Sequence, residues 1–582
     1  MQRTALTKAS ALVAGLLCST ALTPAKAGEV QNYSPVTQQR LENPEPGNWL
    51  LYRRTYDGHL FSPLNQINNT NVKDLVPVWT FSTGVNEGHE SPPMVNNGVM
   101  FITTPQAQVI ALDAKSGELI WRYKHPLPEE LFQLHPTNRG VAFWQDRLFL
   151  ATTDCMLIAL DAKTGKELWV KKVQDFRKGQ YMTLEPLVVD GKVMVGGSGG
   201  EFGIRGYVAA FDANDGKELW RTFTIPAPGE PGSDTWQGDD WKNGGGSVWL
   251  TGNYDPKRKI AYWGVGNAAP WPGDAHPGDN LYTSSVIALD PDTGKIVGYH
   301  QYHYNDSWDW DEVDPPLLVQ LQHNGRSINS LVHPGRDGIL WVLEQKDNGI
   351  EFVSGQPYVL HTIITSIDEK TGRPTYDPKR KPSLKEGAAE FCPSLWGGKD
   401  WPSPSYSDST KMLYVPAINN MCGTFAVKKT PYEPGQLYTD ADLSKLGLVV
   451  RGDHLGELQA WDLSTGKQAW VHKFPAQLFA SVLSTAGNLV FVGGTNDRYL
   501  RAFDAKTGDL LWQQRTNSGI TGMPVSYEVD GTQYIAVQSG WGVDAQRIQD
   551  SLTKAGLKGI NPDVPQGGVV WVFALRRSEA QR

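Results

Sequence analysis

One phrase returns along this chain with small variations. It reads ALDAKSGELIW at 111 to 121, ALDAKTGKELW at 159 to 169, AFDANDGKELW at 210 to 220 and ALDPDTGKIVG at 288 to 298. It comes back as SIDEKTGRPTY at 366 to 376, AWDLSTGKQAW at 460 to 470 and AFDAKTGDLLW at 502 to 512, with a blurred copy, LEQKDNGIEF, at 343 to 352. Each copy has the parts of a β-hairpin: an apolar strand end, an Asp whose short side chain can bond the turn backbone, and a Gly that tolerates φ > 0. A second strand follows and ends, in most copies, on Trp. Strand-and-turn units repeated at roughly 40 to 90 residues predict an all-β propeller in preference to a sandwich. The Trp is expected to dock between neighbouring blades, so the repeat is structural and the chemistry must lie where the repeat is interrupted.

A propeller buries surface between adjacent blades, so a chain of 582 residues is expected to form one domain over residues 28 to 582. The 60 Gly and 21 Trp are what repeated tight turns and docked indoles demand. A formal net charge of -8 argues against a nucleic-acid partner, because phosphate contacts need clustered Lys and Arg. Beyond the N-terminus no apolar run is long enough to span a membrane. At the N-terminus, Arg3 and Lys8 precede an apolar run at 11 to 17, and Ala25-Lys-Ala27 supplies the small residues a signal peptidase reads. Residues 1 to 27 are therefore expected to be a signal peptide and the protein to be exported to the periplasm, with Cys18 removed. In an oxidising compartment Cys392 and Cys422 can pair, closing a loop of about thirty residues and stabilising the fold by roughly 3 to 4 kcal/mol. Cys155 reads as a buried free thiol, and the absence of C-x-x-C-H means that the chain carries no c-type haem of its own.

Four stretches interrupt the blades. GGSGGEFGIRG at 196 to 206 surrounds one carboxylate, Glu201, with glycines that let backbone approach something flat or anionic. Taken alone it reads more readily as a flexible turn between strands. WKNGGGSVW at 241 to 249 places Trp241 ahead of three glycines, and GVGNAAPW at 264 to 271 holds Asn267, whose ordinary reading is an Asx turn. YNDSWDWDEVD at 304 to 314 packs four Asp and one Glu into eleven residues. Such clusters are usually solvated faces, but Trp308 and Trp310 flank Asp309, and indoles beside a carboxylate mark a walled pocket. With Glu201 and Asn267, these oxygen donors suit a hard cation.

In order and length these motifs resemble those of the pyrroloquinoline quinone (PQQ) dependent alcohol dehydrogenases of the methanol and ethanol dehydrogenase type. The similarity extends from about Asn48 to Leu575 and takes in YDGHLFSPLNQIN and GGVVWVFAL. The resemblance implies an eight-bladed propeller and PQQ as cofactor. It makes Glu201, Asn267 and Asp309 metal ligands, Trp241 the indole on which PQQ stacks, and Glu90, Arg139, Thr183, Ser198, Gly199, Gly200, Arg336 and Asn419 its other contacts. A tricarboxylate with a flat conjugated face fits guanidinium, backbone N–H and an aromatic platform. The implied reaction oxidises a small alcohol, with Asp309 as base and Arg336 steadying charge on the quinone oxygen. Reduced cofactor passes its electrons to a periplasmic cytochrome c; a homodimer is left open.

Two positions depart from that pattern. Where most members carry adjacent cysteines before the Asn-Arg-Gly segment, this chain has Gln133 and Leu134, so an apolar lid from Leu134 or a nearby loop is expected over the cofactor. Asp311 is similar to the lanthanide-dependent branch. An added anionic oxygen favours a trivalent ion, so a lanthanide is expected, with Ca²⁺ as fallback. Trp271 and Trp308 are candidate pocket walls or, alternatively, packing between blades, and 540 to 568 is expected to arch over the mouth. A PQQ-dependent sugar, polyol or aldehyde dehydrogenase is the nearest alternative; a non-enzymatic propeller scaffold is the remote one.

Overall fold

The computed structural model describes residues 28–347, 349–557 and 563–576, so the expected signal peptide lies outside the described residues. Among them are eight sheets of four or five strands, two smaller sheets and two α-helices, Gln38–Glu42 and Val543–Lys554. Within the larger sheets successive strands are mostly antiparallel neighbours, as in the order Val141–Trp144, Arg147–Ala151, Met156–Asp161 and Glu167–Lys172. One sheet joins the two ends of the chain: Leu75–Ser82 pairs antiparallel with Val569–Leu575, which continues into Thr532–Ser539 and Val525–Val529. This is a β-propeller-type arrangement, in which radial repetition leaves only short sheet edges.

The repeated phrase forms the turn between the last two strands of a sheet. Asp161 Oδ1 accepts from the Lys163 and Thr164 N–H groups at 3.1 and 2.8 Å and from Thr164 Oγ1 at 2.7 Å. Gly165 follows at φ +68, and a Cβ there would lie 2.5 Å from Cε3 of Trp121, an indole of the preceding sheet. Glycine is thus needed both for the turn and for the approach of a neighbouring ring. Trp121 donates from Nε1 to Ala162 O at 3.2 Å, and Trp169 likewise to Ala213 O at 3.3 Å in the next sheet. The pattern recurs between Trp220 and Gly294 and between Trp470 and Gly508.

A three-stranded sheet stands apart from the large ones. It combines Glu390–Phe391, Met421–Val427 and Ala441–Val450, and the Cys392–Cys422 disulfide ties its first strand to its second. The sequence reading did not anticipate this cap sheet. Cys155 is a buried free thiol whose pKa is pushed up by burial, which keeps it protonated and unreactive. No helix of the described residues is long and apolar enough to cross a membrane.

Candidate active site

The interruptions converge on one cavity of about 280 Å³. Of the residues singled out from sequence, Arg139, Thr183, Ser198, Gly199, Glu201, Asp309, Asp311, Arg336, Trp271 and Leu134 line it. Glu90 and Asn267 stand just behind: Glu90 Oε2 lies 2.8 Å from Arg139 Nη2, and the Asn267 N–H donates to Asp311 Oδ1 at 3.0 Å. Gly200 is also behind the wall, where a Cβ would lie 3.8 Å from Asn267 Oδ1. Gly199 does line it, at φ +115, and its Cβ would sit 2.1 Å from Gly179 O, so only glycine fits.

Three residues lie elsewhere. Trp241 does not reach the cavity; its 3₁₀ turn turns the indole onto Ile225 and Trp236, with the Arg205 guanidinium 4.9 Å from the ring. Of the two indoles that flank this glycine run, the one that faces the cavity is Trp249, at its other end. Asn419 is used structurally, accepting from the Leu360 N–H at 2.8 Å and donating to Glu457 Oε1 at 3.0 Å. Trp308 is fully buried, stacked on Trp310 at 4.8 Å, with Nε1 donating to Arg380 O at 2.8 Å, so of its two readings the structure selects packing.

The inner wall is a compact electrostatic unit. Arg139 lies between two indoles, its guanidinium carbon 4.9 Å from each of the Trp249 and Trp401 rings, and donates to Thr183 Oγ1 at 2.7 Å. Trp249 Nε1 in turn donates to Asp311 Oδ2 at 3.0 Å. Arg336 faces three carboxylates: Nη1 is 3.2 Å from Asp400 and 3.7 Å from Asp311, and Nη2 is 3.9 Å from Asp309. Burial lowers an arginine pKa, but these charges outweigh it and hold Arg336 fully protonated. Asp309 adopts φ +64, its N–H donating to Asp306 Oδ2 at 2.9 Å, which turns the carboxylate into the cavity. Burial first, then the charges of Glu201 and Asp311, push the Asp309 pKa well up against the pull of Arg336. The same burial and the Glu201 charge raise Asp311 to about 7.

Beneath this wall lies a hub absent from the sequence reading. Glu312 accepts from His333 Nε2 at 2.6 Å and from the Arg336 and Asp337 N–H groups at 3.0 and 2.9 Å, with His303 3.3 Å away. Burial would raise its pKa, but the hydrogen bonds from both histidines hold it below the usual carboxylate range. One carboxylate thereby fastens the Asp309–Asp311 stretch to the loop that carries Arg336.

The residues present fit both a cation and a planar polyanion. Asn267 Oδ1 and Asp309 Oδ1 are buried acceptors with no hydrogen-bond donor, an arrangement that is unfavourable unless a cation or ligand donor engages them. Arg139 Nε is, conversely, a buried donor without an acceptor. Oxygen-only donors suit a hard ion, and the guanidinium, the Thr183 and Ser198 hydroxyls and the Trp249 face suit a flat carboxylated ring.

The lid differs from an apolar flap. Leu134 lines the cavity, but its carbonyl accepts from Arg547 Nη2. Next to it His135 Nδ1 bonds Tyr181 Oη at 2.9 Å, and its Nε2 is 3.3 Å from Asp544, which also pairs with Arg547 at 2.9 Å. Asp544 and Arg547 belong to the helix Val543–Lys554, so part of the 540 to 568 insertion does meet the cavity.

Fold and site together define a quinone-dependent dehydrogenase of the β-propeller class. Residues 49–353 and 362–535 match the family described as PQQ: glucose/ethanol/alcohol dehydrogenase, beta-propeller domain, and the chain belongs to that family. It is 35% identical to the quinoprotein alcohol dehydrogenase PedH of Pseudomonas putida, over 90% of each chain. It is 34% identical to methanol dehydrogenase [cytochrome c] subunit 1 of Methylorubrum extorquens, over 85% of this chain and 84% of that one. A europium-containing methanol dehydrogenase superposes with a TM-score of 0.86 at 33% identity, covering 92% of this chain and all of the other. The protein is a quinoprotein alcohol dehydrogenase, which sets aside the scaffold reading.

Proposed function

We propose that this chain is an exported, single-domain propeller of eight blades that oxidises an alcohol with PQQ and a metal ion and passes electrons to a c-type cytochrome. The observation that carries the reading is the pair of orphaned acceptors, Asn267 Oδ1 and Asp309 Oδ1, beside the Arg139–Trp249 wall. Glu201, Asn267 and Asp309 hold the cation, with Asp311 as an added donor. The Asp311 oxygens accept from Asn267 N–H and Trp249 Nε1, yet each keeps a second lone pair, so both uses are compatible. The platform role passes from Trp241 to Trp249, while Arg139, Thr183, Ser198 and Gly199 receive the cofactor's carboxylates.

When bound, PQQ is the two-electron acceptor for hydride from the alcohol carbon, and the cation polarises the accepting carbonyl. Asp309 takes the hydroxyl proton, so the alcohol leaves as an aldehyde or ketone. A cation at Asp309 favours its ionised, basic form, opposing the burial that pushes its pKa up. Arg336 holds Asp309 and Asp311 in place and presents positive charge where negative charge develops.

The ion is a lanthanide, with Ca²⁺ as the alternative; the added carboxylate of Asp311 and the likeness to a europium-containing enzyme support this. The cytochrome acceptor is supported by the likeness to methanol dehydrogenase [cytochrome c] subunit 1, and export by Ala25-Lys-Ala27. Dye-linked oxidation by apo-protein given PQQ and either La³⁺ or Ca²⁺ tests the reading. Activity is expected with La³⁺ and reduced by Asp311→Ala; activity with Ca²⁺ alone would discard the lanthanide assignment and keep the enzyme.

A further inference from the structure

We infer that the protein holds a second metal ion, a first-row divalent cation of the Zn²⁺ type, in a closed structural site behind the catalytic wall, with His303, Glu312 and Asp337 as its ligands. The site is separate from the oxygen donors around Asp309 and stands whatever alcohol the enzyme takes.

Three segments bring the ligands together. His303 follows the strand Ile296–Gln301, Glu312 comes directly after Asp311, and Asp337 sits in the turn between the strands Arg326–Pro334 and Ile339–Lys346. One ligand atom from each lies within 4.8 Å of the other two, and all three side chains are buried. Two carboxylates and an imidazole buried together need their charge balanced.

The lone pairs left over point at that balance. Glu312 Oε2 accepts from His333 Nε2 at 2.6 Å and from the Arg336 N–H at 3.0 Å, which fills it. Glu312 Oε1 accepts from the Asp337 N–H at 2.9 Å and keeps one lone pair. The two oxygens of Asp337 accept from the Ile339 N–H and from Trp341 Nε1, each at 2.9 Å, and each keeps one as well. At His303 neither ring nitrogen has a well-formed hydrogen bond: Nδ1 is 3.5 Å from Asp306 Oδ1 and Nε2 is 3.3 Å from Glu312 Oε1. Asp306 Oδ1 is itself a buried acceptor without a donor, so it draws the ring proton to Nδ1. His303 Nε2 then faces Glu312 Oε1 lone pair to lone pair, and a positive charge has to stand between them.

A proton or a metal ion supplies that charge, and the spacing favours the metal. A shared proton draws its heavy atoms together, as in the neighbouring His333–Glu312 contact of 2.6 Å. The His303–Glu312 pair is wider and poorly aligned, and Asp337 brings a third ligand atom to the same place. Metal–ligand distances of about 2.0 to 2.1 Å in a tetrahedron set ligand atoms about 3.3 Å apart. Two carboxylates and a neutral imidazole balance a divalent ion, and mixed nitrogen and oxygen ligands suit zinc. The groups behind the ligands are those found around bound metals, with a carboxylate at the far side of the histidine and N–H donors on each carboxylate. Because Glu312 adjoins Asp311 and Asp337 adjoins Arg336, the ion fastens the two halves of the catalytic wall to each other.

The test is elemental analysis by mass spectrometry of the folded holoenzyme, purified from cells given zinc and lanthanum and exchanged into metal-free buffer. About one zinc per chain is expected in the wild type and in Glu201→Gln, whose change lies at the catalytic cation site. In His303→Asn and Asp337→Asn the count is expected to fall below about 0.2 per chain, with circular dichroism unchanged. A wild type without stoichiometric zinc or another first-row metal would overturn the inference and leave His303 as an imidazolium between Asp306 and Glu312. Zinc retained in both variants would overturn it too, by placing the ion elsewhere. Should neither variant fold, the zinc-edge X-ray absorption spectrum of the wild type decides. One imidazole with oxygen ligands at about 2.0 Å is expected, and a shell of oxygen alone, as at a misloaded catalytic site, would overturn the assignment.

Discussion

The turn at Asp161 and the loop at Asp309 are written in the same residues, Asp and Trp, and use them in opposite ways. At the turn, one carboxylate oxygen accepts three hydrogen bonds from Lys163 and Thr164, and Trp169 reaches a carbonyl of the next sheet. That oxygen is taken up by the fold. In the loop, Trp308 and Trp310 also satisfy their N–H groups on carbonyls, at 2.8 and 2.9 Å, but Asp309 keeps a buried oxygen with no donor. The indoles build the wall and the carboxylate is left over. Function here is a local refusal to satisfy a polar atom, made tolerable by a left-handed backbone at φ +64 and a surround that fixes it.

Substitutions at the two places should separate accordingly. Asp309→Asn removes the proposed base and a proposed anionic ligand while keeping the shape. Dye-linked kcat is expected to fall by about 10³-fold or more, within the span of a lost general base, with PQQ quenching of tryptophan fluorescence retained. Glu312→Gln comes next. An amide can no longer accept from His333 and two backbone N–H groups without turning a donor toward one of them. The link between the Asp309–Asp311 stretch and the Arg336 loop then loosens, and kcat is expected to drop about 10- to 100-fold, as for supports behind a metal site. An unchanged kcat in either variant would erase the distinction drawn between loop and turn.

How far this was legible in the sequence follows the same division. The turns announce themselves because each is local: Asp161, Thr164 and Gly165 bond within five residues, so pattern alone reveals them. Glu201, Asp309 and Asp311, which line the cavity, and Asn267 just behind it stand out because unusual residues break a regular repeat. What escaped depended on the path of the chain in space. Trp241 and Trp249 flank one glycine run, and which indole faces the cavity is decided by Gly245 and Gly246 at φ +77 and +62 and by the close fit of the backbone there. His135 and Asp544 meet from opposite ends of the chain. The cap sheet carries no copy of the repeat, so nothing in its sequence distinguished Leu443 and Leu446, which line the cavity, from an ordinary strand.

Within the blades the expected losses are of stability alone. Trp121 is 2% exposed and lies against Gly165 and near Phe101, at 5.8 Å between rings. Trp121→Ala opens a cavity between two sheets and is expected to destabilise by about 3 to 5 kcal/mol, read as a lowered unfolding midpoint. The holoenzyme that remains folded should keep kcat within about twofold, since no chemistry passes through the repeat. A kcat loss comparable to that of Glu312→Gln would show that the blades tune the site rather than merely hold it.

The smallest effect is the sharpest test, because it repeats the first substitution elsewhere. Asp161→Asn makes at the turn the same exchange as Asp309→Asn makes in the loop. At position 161 the working atom is Oδ1, and an amide keeps an acceptor there for the Lys163 and Thr164 N–H groups and the Thr164 hydroxyl. Asn also forms such turns readily, so the change is expected to shift stability by no more than about 0.5 kcal/mol and to leave kcat untouched. Asp161→Ala, which removes the acceptor, should destabilise by about 1 to 2 kcal/mol. If Asn at 161 proved as damaging as Ala, negative charge rather than acceptor geometry would be what the repeat requires. The contrast with Asp309, where charge is what the proposed chemistry uses, would then collapse.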